Sequence, residues 1–99
     1  MILDEYRELL KEKEYIENAL DNVSNEELAL QYKLALETIE YKRLEIERLI
    51  EVLEPTERML IRYRFFEGLK WNLVFKKLHY SKSQTFRMYT EILTKLGII

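Results

Sequence analysis

Two runs of apolar residues stepping by fours and threes fill the first 54 positions, and the only proline, Pro55, stands directly after them. A 4-3 step is the repeat of one face of an α-helix, whereas a strand repeats every second residue. The first run is Ile2, Tyr6, Leu9, Lys13, Ile16, Leu20 and Val23, a heptad seam with one polar member. The second is Leu28, Tyr32, Ala35, Ile39, Lys42, Ile46, Leu49 and Leu53. Between them lies the polar break Asp21-Asn22-Val23-Ser24-Asn25. Ser24 and Glu27 have the spacing of a capping box, in which the hydroxyl takes an orphan amide and the carboxylate reaches back. A helix from Glu26 to Leu53 would be about 42 Å long. The short connection predicts that the two helices fold back as an antiparallel hairpin.

The second helix carries a further stripe, Leu30, Leu34, Tyr41 and Leu44. One partner helix cannot cover both faces. The surplus is expected to meet the C-terminal half or another chain, and a homodimer is the expected state. Lys13 and Lys42 read as side chains that lay an apolar stem along the seam and keep the charge in water, in preference to the alternative of a polar register device.

The remaining composition agrees with an all-α chain. Two glycines, one proline and many Leu, Glu, Lys and Ile residues favour helix throughout. There is no cysteine, which excludes disulfides and thiolate metal sites and fits a cytoplasmic, reducing location. The opening MILDEYRELL lacks a basic stretch followed by an apolar core, so no signal peptide is expected. No apolar run approaches the roughly 18 residues that span a bilayer, and no membrane partner is expected.

Charge divides the chain at the same proline. Residues 1–54 hold 15 acidic and 7 basic side chains, a net −8, whereas residues 55–99 hold 3 and 9, a net +6. The near-neutral total of −2 therefore hides an acidic hairpin arm, 1–54, joined to a basic module, 55–99. A basic module is suited to meeting a polyanion. At 45 residues its core is marginal alone and must lean on the preceding helices or on a second chain.

The module reads as three short helices. Pro55 suits a first helical turn, where its missing amide would be an orphan anyway. The helix Thr56 to Glu67 places Met59, Leu60, Tyr63 and Phe66 on one side, with Arg58, Arg62 and Arg64 largely away from it. Gly68 stops it. A second helix, about Trp71 to Leu78, buries Trp71, Val74 and Leu78, and His79-Tyr80 breaks it. Ser81 then caps a third helix, with Gln84 completing a capping box. That helix runs to about Leu96, with Thr85, Tyr89, Ile92, Leu93 and Leu96 inward, and Gly97 ends it.

A short helix, a tight turn and a capped longer helix form the layout of a helix-turn-helix, in which the start of the last helix enters the major groove of DNA. The outward positions there are expected to be Lys82, Ser83, Gln84, Phe86 and Arg87. Arg and Lys can pair with guanine or phosphate, Gln with adenine, and Phe can touch a thymine methyl. Ser81 opens the helix N-terminus, whose dipole favours a phosphate. Lys76 and Lys77, on the preceding helix, are placed to meet the backbone. For Arg87 a phosphate contact is the stronger expectation than a base contact, because half or more of such bonds go to the backbone.

The stretch from Leu53 to Leu96 resembles region four of bacterial sigma factors. The residues that carry the resemblance are Leu53, Glu57-Arg58, Arg62-Tyr63, Gly68-Leu69-Lys70-Trp71 and Ser81. With its long helical arm the whole chain is more similar to small phage and prophage regulators of Gram-positive bacteria, the ArpU and RinA type of late-gene activators. The resemblance covers just under half the chain, and the arm matches in style only. It implies a transcriptional regulator that binds double-stranded DNA, with RNA polymerase as a further partner. Two positions depart from the pattern. Lys70 stands where the family has Ser or Thr as a cap, and Phe75 stands where it has a small residue. A Phe there must widen the angle between the helices or point outwards. No second sigma region is present, so a stand-alone sigma role is not expected.

No Ser-His-Asp set, glycine-rich phosphate loop or metal-ligand cluster occurs, and the single histidine, His79, has no partner ligand. No enzyme activity, cofactor, metal or small-molecule substrate is expected. Two other readings stay open: a packaging component like a small terminase subunit, and an interaction module that binds RNA polymerase or a sigma factor.

Overall fold

The computed structural model describes all 99 residues and is all-helical, a long N-terminal helix pair followed by shorter helices. Helix α1, Glu5–Asp21, follows a tight turn at Ile2–Asp4, and α2 spans Glu26–Leu49. After a second tight turn, Ile50–Val52, come α3, Pro55–Ile61, a wide helical turn at Arg62–Phe66, α4, Trp71–Leu78, and α5, Lys82–Lys95. No helix is long and apolar enough to cross a membrane.

The hairpin is antiparallel. The Tyr6 hydroxyl, early in α1, donates to Glu47 Oε1, late in α2, at 2.8 Å. Arg43 in turn donates to the Tyr6 oxygen at 3.1 Å and bonds Glu40 and Glu47 on its own helix. Burial pushes the Tyr6 phenol above its ordinary range, and the Arg43 hydrogen bond opposes this. The seam side chains Tyr6, Leu9, Ile16, Ile39 and Ile46 are buried between the two helices. Lys42 is exposed and Lys13 half-buried, reaching Glu17 at 4.0 Å, so both keep their charge at the edge.

Two boundaries differ from expectation. Asn25, not Ser24, caps α2: its Oδ1 accepts the Leu28 amide at 3.1 Å, and Ser24 is exposed. Both residue types cap well, and the cap falls to the one directly before the first helical turn. Helix α2 also stops at Leu49 rather than Leu53. Leu53 and Glu54 are extended, ψ 154° and 156°, the latter as the residue directly before a proline tends to be, and Leu53 is buried from the connection instead of from the helix.

The acidic and basic halves share one core. Leu3, Tyr6 and Leu9 from the first helix region, Ile50 and Leu53 from the connection, and Leu60, Ile61, Phe65, Val74 and Ile92 from the basic half form a continuous cluster. The small module therefore leans on the hairpin of its own chain. The wide turn makes the joint. Its Glu67 amide donates to the Arg62 carbonyl, five residues back, at 2.8 Å, which puts an extra residue into the turn. The consecutive rings of Phe65 and Phe66 can then face different elements. Phe65 is buried toward Tyr89 of α5, and Phe66 stacks on Tyr6 of α1. Ile61, not singled out from periodicity, is fully buried, while Met59 is exposed.

Glu57 ties the first helix of the module to the last. Its carboxylate accepts the Glu54 amide at 2.9 Å and the Lys95 ammonium at 2.9 Å from both oxygens. Burial pushes the Glu57 carboxyl up, but the Lys95 and Glu54 hydrogen bonds outweigh it and hold it below the ordinary carboxylate range.

Candidate nucleic-acid interface

Helix α4 begins without a side-chain cap, because the Ncap residue is Lys70, a donor with nothing to accept an amide. Its end is well defined. His79 takes a left-handed φ of 58°, its amide bonds the Lys76 carbonyl, and the Tyr80 amide bonds the Phe75 carbonyl, each at 3.2 Å. This is a Schellman ending, with His in the place glycine usually holds. The chain then turns directly into α5.

The start of α5 is held rigidly. Ser81 Oγ accepts the Gln84 amide at 3.1 Å, and Gln84 Oε1 accepts the Ser81 amide at 2.9 Å, the expected capping box. Thr85, fully buried, adds a bond from its hydroxyl to the Ser81 carbonyl at 2.9 Å. Ser81 and Gln84 thus hold the helix entry. Gln84 keeps its amide NH₂ free to donate, while its oxygen serves the cap.

Lys82, Ser83, Gln84 and Arg87 are all exposed on the first turns of α5, and Lys76 and Lys77 are exposed on α4. Arg87 borders a shallow cleft of about 290 Å³ with Tyr80, Gln84, Met88 and Glu91. Lys77 lies with its Nζ 5.3 Å from the Tyr63 ring centre, so its stem is anchored on the module while the charge stays accessible.

Phe86 is not an outward residue. It is half-buried, edge-on to Trp71 at 5.1 Å and to Phe75 at 5.5 Å between ring centres. Phe75 stacks beside Trp71 at 6.3 Å. Phe75 therefore does not stand free in solvent. It recruits Phe86 from α5, and three rings fill the space between the two helices. Aromatic edges on aromatic faces are favourable beyond the area they bury, which gives Phe86 a better place than water. Lys82 Nζ lies 5.9 Å over the Phe86 ring.

Of the nine basic residues of the module, only Arg62 and Lys95 make ion pairs, to Glu47 and Glu57. Arg64 is committed otherwise, donating to the Leu69 carbonyl at 2.9 Å and lying 4.9 Å over the Trp71 ring. Lys70 joins the exposed, unpaired group at the start of α4. In the sequence Lys70 reads as a missing cap, and its place one residue before a helix start also marks it as solvent-facing. No group of three or more His, Cys, Asp or Glu side chains is arranged to hold a metal ion.

No protein-family model, curated protein or solved structure matches the chain.

Proposed function

We propose that the chain is a DNA-binding transcriptional regulator of the phage and prophage type. It reads duplex DNA with the start of α5 in the major groove, and the acidic hairpin faces away from the phosphates and toward protein, RNA polymerase included. The observation that carries this reading is the capped first turn of α5 presenting Lys82, Ser83 and Arg87 to solvent, with Lys76 and Lys77 exposed on the preceding helix. A rigid entry fixes the register of base-edge contacts, and unpaired cations supply the phosphate term. The resemblance of Leu53 to Leu96 to sigma region four supports the same docking. Acidic residues concentrated in the hairpin would repel DNA and so orient the approach.

The test is selection of duplexes from a random pool by the full chain at about 0.15 M salt. An enriched motif is expected. A folded, helical protein that enriches nothing and retains no duplex at low salt would end this reading in favour of a protein-binding role.

A further inference from the structure

We infer that the outer face of α2 is a self-association surface, on which a second copy of the chain docks its own α2 in antiparallel orientation. This inference does not rest on the DNA-binding reading. Leu30, Leu34, Tyr41 and Leu44 are 57%, 54%, 63% and 38% exposed. At 100° per residue they fall within about 80° of one another on the helix, opposite the buried Ile39 and Ile46. Neither α1 nor the basic half covers them. Four large side chains in one line make an apolar patch of a few hundred Å², the size that marks partner sites on protein surfaces.

The order of residues along that face selects the occupant. The steps between the four are four, seven and three residues, nearly the same read in either direction. A two-fold axis near Glu37 therefore sets Leu30 against the partner's Leu44 and Leu34 against the partner's Tyr41. Such an interface is isologous and closes at two copies. Charges at the two ends agree with it. Glu26 and Glu27 flank the stripe at the N-terminal end and Arg48 at the C-terminal end. None of the three makes an ion pair within the chain. Antiparallel docking brings each Arg48 to the partner's Glu26 and Glu27, and it also opposes the helix dipoles favourably. Parallel docking would set like charges together at both ends. Glu37 meets its own copy at the axis, and Lys33, one turn earlier on the same face, supplies the opposite charge to both carboxylates. Two such helices with their flanking side chains approach the roughly 1,200 Å² at which specific interfaces begin.

The full chain should sediment at twice its 12.2 kDa, with a dissociation constant at or below about 10 µM. Leu34→Glu and Tyr41→Glu, both at exposed positions, should keep the helical circular dichroism and weaken the dimer by about tenfold or more. Arg48→Glu should weaken it and Glu27→Lys in the same chain should restore it, because the pair meets across the axis. The chain has no cysteine, so Leu34→Cys and Tyr41→Cys can be mixed and treated with a short thiol cross-linker. A mixed product well in excess of either self-product is expected. A parent chain that stays monomeric, a dimer indifferent to Leu34→Glu and Tyr41→Glu, or preferential linking of Leu34→Cys to itself would each overturn the inference. None of these measurements involves DNA, so they stand apart from the duplex selection.

Discussion

Tyr6 of α1 lies flat on Phe66 of the wide turn, ring centres 3.8 Å apart and planes 14° from parallel. The same Tyr6 hydroxyl is bonded to Glu47 and Arg43 of α2, and Arg62 sits 5.3 Å over the far partner, Phe66. One side chain thus joins both helices of the hairpin to the basic half.

Removing that stack should loosen the joint between the halves. Tyr6→Leu is expected to cost about 2–3 kcal/mol, since it loses buried aromatic area and two hydrogen bonds. A double-mutant cycle with Phe66→Leu in urea denaturation should give a coupling of about 1 kcal/mol. Simple additivity would mean that the rings are neighbours without being partners.

Two glycines share a left-handed φ, 72° at Gly68 and 73° at Gly97, but not their surroundings. A Cβ on Gly68 would stand inside the Arg7 guanidinium, whereas one on Gly97 meets open space. Gly97→Ala should cost only the backbone strain, about 1 kcal/mol. Gly68→Ala should cost about the same, because the exposed Arg7 guanidinium is the free end of a flexible side chain and can swing aside. A clearly larger loss in urea midpoint at Gly68 would show that Arg7 is held in place.

Stability should fall at both pH extremes through Glu57 and Lys95. Burial raises the Glu57 carboxyl, but its hydrogen bonds win and leave it lowered. Its contribution is present above the ordinary carboxylate value, about 4.3, and is lost as pH falls through the lower folded value. The hydrogen bond to Glu57 raises Lys95, so its contribution is present below about 10.4 and is lost as pH rises through the higher folded value. Glu57→Gln should flatten the acid limb of a plot of urea midpoint against pH. An unchanged limb would assign acid sensitivity to other carboxylates.

Phe86 and Arg87 are neighbours in sequence with opposite expected phenotypes. Phe86→Ala should destabilise the fold by about 2 kcal/mol, because it opens the cluster with Trp71 and Phe75. Arg87→Ala and Lys82→Ala should leave stability within about 0.5 kcal/mol and weaken duplex binding. Lys76→Ala should lower the slope of log affinity against log salt by about 1. Fluorescence anisotropy over a salt series reads all three. Parent-like binding by both Arg87→Ala and Lys82→Ala would remove α5 from the interface.

Much of this fold was legible along the chain because its signals are local. The 4-3 spacing marks the hairpin seam, Pro55 and Gly68 bracket the first helix of the module, and the Ser81–Gln84 pair marks the start of α5. Each depends on residues within one or two turns, so sequence order carries the information. The errors are also local in kind. Asn25 and Ser24 compete for one cap, and the chain before Pro55 leaves the helix early.

The tertiary structure decided what each face meets. Periodicity could place Phe86 on a face of α5 but not reveal that Phe75 and Trp71 of α4 would draw it inward. Likewise the sequence predicted that Leu30, Leu34, Tyr41 and Leu44 needed a cover, and only the packing showed that the chain's own basic half docks against another face of the hairpin and leaves them bare. Helix identity follows from backbone geometry and nearby side chains, which sequence encodes directly. Which helix covers which depends on close packing among residues more than 40 apart, such as Tyr6 and Phe66, and that is settled only when all the side chains compete for the same space.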